Sequence, residues 1–190
     1  MEVVTGDPLL GAGGVPLPTC EQGRVQHGHS SVSARTVMTT IKSLSDTFVA
    51  APGPSTWTGP VPVPDRDSAF YWSGLRERRL LVSACNTCSY LIHPPVAGCP
   101  RCSGTDLGQR ELAGTGIVYS FTVVNREFAP GIKPPFIVAI VQLDEQADLR
   151  MLTNLVDVKI GDVRMNQRVR VVFQQVSSDA ALAFFTPEES

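Results

Sequence analysis

Nothing in this chain approaches the roughly 20 consecutive apolar residues that a membrane-spanning helix requires, and its N-terminus has neither the basic start nor the apolar run of a secretory signal. A cytoplasmic protein with reduced thiols and no membrane contact is expected. A basic surplus is also missing: 16 Lys and Arg stand against 18 Asp and Glu, for a formal charge of −2 and a pI near 5.9. That balance argues against a dedicated nucleic-acid binder. The chain has no Gly-x-Ser-x-Gly elbow, no glycine-rich phosphate loop ahead of a helix, and no paired carboxylates on a recognisable scaffold. The common hydrolase and nucleotide-transfer sites are thereby excluded. Aromatic residues are scarce at the start, where residues 1–64 contain only Phe48 and Trp57 but 16 of the 31 Gly and Pro residues. Such a stretch buries too little apolar area to offset the entropy of ordering. It reads as a disordered or extended tail, and Met38-Thr-Thr offers an alternative start.

Cysteine is sparse but concentrated. Four of the five lie in Cys85-Asn-Thr-Cys88 and, ten residues on, Cys99-Pro-Arg-Cys102. Each C-x-x-C places two thiolates on one tight turn, and two such knuckles joined by a short hairpin make the closed tetrahedral sulfur site of a structural Zn2+ ion. Four thiolates leave no open coordination position, so the metal's role is structural. Iron is the rival, because Cys-Pro-x-Cys also occurs in rubredoxin-type electron carriers; buried or disulfide-bonded cysteines are the plain alternative. Arg101, inside the second knuckle, is expected to offset part of the surplus negative charge. With four cysteines available, His93 is expected to be a loop residue. Cys20, His27 and His29 fall in the tail and read as solvated.

From Asp65 the pattern becomes structural. Asp67 or Ser68 can cap a short helix carrying Phe70, Tyr71, Trp72 and Leu75, which either cover the zinc module or dock onto another subunit. Leu80–Ala84 and Tyr90–His93 are strands on either side of the first knuckle, so residues 65–106 form a helix and zinc ribbon. Residues 107–186 read as five or six short strands with glycine bends, an OB-type barrel. Gln109–Leu112 is its first, weak strand, and Gly114 and Gly116 permit a bend or bulge. Ile117, Tyr119, Phe121 and Val123 are expected on one face of the next strand. The run 136–143 is almost continuously apolar and is expected to be covered on both faces, and Arg168 and Arg170 alternate outward with Val169, Val171 and Phe173 inward.

These ordered segments, namely the aromatic helix, Cys-x-x-Cys, Cys-Pro-x-Cys, Gly-x-Gly-x-Val-Tyr-Ser-Phe-Thr, Pro-Pro-Phe and Leu-x-Thr-Asn-Leu, resemble the acyl-CoA-associated zinc-ribbon/OB-fold family over residues 67 to about 186. The resemblance implies a mainly β fold, with an N-terminal helix and rubredoxin-like zinc ribbon followed by a small OB-type barrel. It also implies a non-catalytic partner of a thiolase-like acyl-CoA aldolase or acyltransferase, as in steroid side-chain degradation, working as a hetero-oligomer that shapes the CoA-thioester channel. Asn125, Arg126 and Lys133, around the 125–135 loop, are the candidates for contacting that thioester; a solvated loop is the alternative. The competing function is an OB-fold single-stranded nucleic-acid binder, with Tyr119 and Phe121 stacking on bases and Arg164, Arg168 and Arg170 tracking phosphates. Residues 113–190 hold seven Lys and Arg against nine Asp and Glu, which disfavours it.

Overall fold

The computed structural model describes residues 44–51, 57–127 and 132–188; Cys20, His27, His29 and Met38 lie outside them. The first described strand, β1 (Phe48–Val49), belongs to the expected tail yet pairs with a strand far along the chain, as set out below. Asp65 opens the ribbon module by accepting from the Ser68 N–H (2.7 Å) and hydroxyl (2.5 Å). Ser68 occupies the N-cap position of the short helix α1 (Ala69–Arg76) without a side-chain capping hydrogen bond, its hydroxyl being spent on Asp65.

Tyr71 and Leu75 of α1 are buried, with Phe70 and Trp72 half-buried beside them. They join a core that also takes Leu80, Val82 and Leu91 from the ribbon and Val118, Ile137, Leu155 and Phe185 from the barrel. The aromatic run therefore fills the seam between the two modules, against β2 (Leu80–Cys85) and the barrel strands β9 and β10 defined below. β2 is the middle of a three-stranded antiparallel sheet, between β3 (Leu91–Ile92) and β4 (Leu107–Leu112). Leu80 faces Leu112, and the register runs unbroken to Cys85 opposite Leu107. Gln109–Leu112, expected in the barrel, thus completes the ribbon sheet: the chain leaving the second knuckle runs back along β2 and satisfies its free edge.

Five strands then close a barrel: β5 (Thr115–Val124), β6 (Phe136–Leu143), β7 (Arg150–Leu155) and, after the short β8 (Val158–Lys159), β9 (Arg168–Gln175) and β10 (Ala181–Pro187). The order around the barrel is β5-β6-β7-β10-β9 and back to β5. Neighbours are antiparallel except β7 and β10, which are parallel. This is an OB-fold barrel. A Cβ at Gly116 would lie 2.3 Å from the Gln142 carbonyl oxygen, so only glycine fits between β9 and β6 there. The register of β5 on β6 shifts between Val118 and Ser120, making Tyr119 the extra residue of a bulge. The bulge inverts the face: Val118 is fully buried, Phe121 and Val123 pack on the core, and Tyr119 is exposed. The single face expected for Ile117, Tyr119, Phe121 and Val123 is therefore broken by one residue. β9 alternates as expected, with Val169, Val171 and Phe173 on the core side.

On the outside of the barrel, β1 pairs antiparallel with β8, Phe48 opposite Lys159 and Val49 opposite Val158. The Ala51 N–H donates to Asp157 Oδ1 (2.9 Å), and the Trp57 ring meets Phe184 at 6.2 Å between centroids. Residues 44–51 and Trp57 thus lie on the barrel as a strap.

Candidate functional site

The two knuckles are built alike. The Cys85 N–H donates to the Tyr90 carbonyl and the Ser89 N–H to the Cys85 carbonyl; the Cys99 N–H donates to the Gly104 carbonyl and the Ser103 N–H to the Cys99 carbonyl. Each turn closes through a left-handed residue just after its second cysteine, Ser89 (φ 59°) and Ser103 (φ 60°). Those positions were not legible as special, because neither carries the glycine that normally signals a positive φ. The backbone donors point at sulfur: Cys88 and Thr87 N–H toward Cys85, Tyr90 N–H toward Cys88, and Gly104 N–H toward Cys102. Gly104 lets the turn pass close to the sulfurs, since a Cβ there would stand 3.2 Å from Thr87 Oγ1 and 3.3 Å from Cys102 Sγ, a tight fit that its neighbours would have to relax.

This folding brings Cys85, Cys88, Cys99 and Cys102 together with all four sulfurs within 4.8 Å of one another. None is in a disulfide. Cys85 Sγ lies 3.5 Å from Cys102 Sγ, and Cys88 Sγ lies 3.6 Å from Cys99 Sγ. A tetrahedral ion with metal–sulfur bonds of about 2.3 Å would place its ligands roughly 3.8 Å apart, so the donor set fits such an ion with little adjustment. Electrostatics point the same way. The Cys88 N–H helps hold the Cys85 thiol down at about 6. Cys102, although it receives the Gly104 N–H, is pushed up to about 12 by the Cys88 and Cys85 sulfurs beside it. Four sulfurs this close cannot all ionise unaided, and a divalent cation removes the conflict.

Around the cluster the structure distributes the other candidates. The Arg101 guanidinium lies over the Tyr90 ring, 5.7 Å from its centroid, and the Tyr90 hydroxyl donates to Asp148 at 2.6 Å. His93 is not among the clustered ligands. Its ring packs 5.3 Å from that of Tyr71, its Nδ1 is buried without a partner among the described residues, and burial lowers its pKa to about 4. Sequence reasoning missed Gln146, in the turn between β6 and β7. Its side chain accepts from the Leu91 N–H (2.9 Å) and donates to the Leu91 carbonyl (3.0 Å), standing in for a strand along the edge of β3.

The thioester candidates flank the β5–β6 loop, whose strands pair up to Val124 opposite Phe136. Asn125 and Arg126 are exposed just beyond β5. Lys133, also exposed, lines a cleft of about 520 Å³ between the strap and the outer face of β6 and β7, where Asn125 and Arg126 are not among the described lining residues. Arg170 is exposed on β9, and the other stacking and phosphate-tracking candidates are engaged within the chain. Arg150 covers the Tyr119 ring at 3.7 Å, and Phe121 packs on the core. Arg168 forks onto Asp144 (2.7 and 2.8 Å) and reaches Glu188, while Arg164 donates to the Gly161 and Val163 carbonyls. No helix among the described residues is long and apolar enough to cross a membrane.

Comparison with known proteins agrees with this architecture. Residues 72–108 match the ChsH2 rubredoxin-like zinc ribbon domain, and residues 109–174 the ChsH2 C-terminal OB-fold domain. A probable enoyl-CoA hydratase alpha subunit from Thermomonospora curvata is 34% identical over 128 residues. The 3-oxo-4,17-pregnadiene-20-carboxyl-CoA hydratase alpha subunit of Mycobacterium tuberculosis is 30% identical over 128 residues. Each alignment takes in 67% of this chain, which spans 40% of the length of these curated relatives. The solved structure of an Ltp2-ChsH2(DUF35) aldolase superposes with a TM-score of 0.61 at 34% identity, covering 66% of this chain and 98% of that one.

Proposed function

Because this chain belongs to the ChsH2/DUF35 family, in which a rubredoxin-like zinc ribbon precedes a C-terminal OB-fold, we propose that it is the non-catalytic partner of a thiolase-like acyl-CoA enzyme. The partner is an aldolase (lyase) or acyltransferase, with steroid side-chain cleavage the favoured setting. The observation that carries this reading is the likeness to the ChsH2(DUF35) chain of the Ltp2 aldolase, which extends over 98% of that chain. The two hydratase relatives, named for CoA thioesters, support the same substrate class.

In this reading Cys85, Cys88, Cys99 and Cys102 hold a structural zinc ion, which neutralises the thiolates and ties the two knuckles together. The ribbon, clamped to the barrel by Gln146 and by the shared core, becomes a rigid body that can bridge subunits. Asn125, Arg126 and Lys133 border the loop that faces the thioester. Their cationic and amide groups suit its phosphates, and the apolar barrel face suits its pantetheine arm. The catalytic groups belong to the partner.

Two measurements test this. Co-produced with a thiolase-like subunit of the same organism, the chain elutes with it in fixed stoichiometry; separate elution rejects the partnership. Reversing charge at Arg126 and Lys133 raises the KM of the assembly for acyl-CoA about tenfold with kcat little changed. An unchanged KM with an intact assembly rejects the role of these residues.

A further inference from the structure

The outer face of strands two and three, with the loop joining strands one and two, is where OB barrels generally receive ligands. Here that face is β6 and β7, and where it lines the cleft it is mostly apolar: Phe136, Val138 and Leu152 point outward, Leu152 being 72% exposed. Arg150 of the same face lies outside the cleft, over the Tyr119 ring. The strap adds a second wall with Phe48, 56% exposed, and Trp57. The strap precedes the segments that match the family domains, which begin at residue 72. The cleft between the two walls, about 520 Å³, is of the size that takes a drug-sized molecule.

Its polarity is specific. Lys133 is the one charged residue among its described lining residues. It forms no ion pair with a described residue. The other polar side chains of the wall already donate elsewhere, Thr153 to the Ala183 carbonyl (2.9 Å) and Asn154 to the Ile137 carbonyl (3.0 Å). A site with aromatic and aliphatic walls and a single ammonium at its rim selects an apolar body with one negative charge. A polyanionic strand fits it poorly, since one cation would face many phosphates.

We propose that this cleft is a binding site for an apolar carboxylic acid, held jointly by the strap and the β6–β7 face, its carboxylate at Lys133. The site shares Lys133 and the barrel face with the thioester contact proposed above but needs neither a partner chain nor a thioester, so it is tested on this chain alone. Trp57, in its wall, supplies the optical signal.

The test uses the full, zinc-loaded chain titrated with dodecanoate and, separately, with dodecanol, followed by Trp fluorescence and calorimetry. Dodecanoate binds saturably at one site per chain and shifts the emission. Trp57→Phe loses that shift while the calorimetric binding remains. Lys133→Gln weakens dodecanoate about three- to fivefold, as for a solvent-reached ion pair, and leaves dodecanol unchanged. Val138→Trp, which fills the cleft from its floor, abolishes binding of both while circular dichroism stays that of the wild type. No saturable binding to the full chain overturns the proposal, including the case in which binding appears only after residues 1–43 are removed, for then the chain itself occupies the cleft. Equal affinity for acid and alcohol, unmoved by Lys133→Gln, overturns it as well.

Discussion

At the scale of single residues, the four cysteines follow directly from the sequence because a C-x-x-C turn is local, and its spacing alone brings two sulfurs to one side. Replacing Cys88 by Ser is expected to lower the metal content from one zinc per chain to near zero, measured by elemental analysis of the purified protein. The same variant should lose the protection of the β2–β3 amides in hydrogen exchange, since the knuckle closes on the metal. What spacing does not reveal is the backbone that serves those sulfurs. Ser89 and Ser103 hold the left-handed positions, and the equivalence of the two emerges only when both turns are seen. His93 is a second residue that the sequence left as plain loop. It is largely buried and neutral, with its pKa held down at about 4 against an ordinary value of 6.5. The unfolded chain then takes up a proton as pH falls below 6.5 and the folded chain does not until about 4, so stability is intact above that window and declines through it. The full loss is about 3 kcal/mol. Denaturant melts at a series of pH values should show a shallower acid slope for His93→Phe than for the wild type, by that amount at the low end. Identical slopes would mean that the ring is not held neutral.

At the scale of elements, the expected strands form, but two of their relationships could not be read locally. The Gly114-Thr-Gly116 segment signals a bend, yet the bulge falls at Tyr119, where no residue type announces it. A period-2 pattern continues across a bulge in sequence while the faces exchange in space. Likewise Gln109–Leu112 reads as a weak strand whose partner only the three-dimensional structure supplies, β2 rather than the barrel. β1 is too short to carry a period at all. Gln146 joins elements in a way no pattern encodes: one amide satisfies both the N–H and the carbonyl of Leu91. Gln146→Leu leaves both groups part-buried and unpartnered, and should cost about 2 kcal/mol in equilibrium unfolding. The loss should concentrate in faster hydrogen exchange at Leu91, with the barrel amides of β5 and β6 unaffected. A uniform change across the molecule would show that the clamp does not act locally.

At the scale of the whole molecule, ribbon, helix and barrel share one apolar core, and the four-cysteine cluster packs beside it with Ile92, Tyr90 and Leu107. The strap that covers part of the barrel is an addition outside the matched family domains, laid on the face where an OB barrel meets its ligands. Fold and cysteine cluster were legible because periodicity, glycine placement and cysteine spacing act over short range. The cleft was not, because its walls come from residues about 100 positions apart in the chain. In the function proposed above, a zinc-braced body completes the active site of another enzyme and carries no catalysis itself. The most direct measurement is acyl-CoA turnover by the isolated chain, by a thiolase-like subunit of the same organism, and by the two co-purified together. No turnover is expected from the chain alone, little from the other subunit alone, and at least a hundredfold gain from the pair. That gain should vanish when Cys85, Cys88, Cys99 and Cys102 are all serine. Turnover by the isolated chain, or an undiminished gain without its four thiolates, would contradict the proposed function.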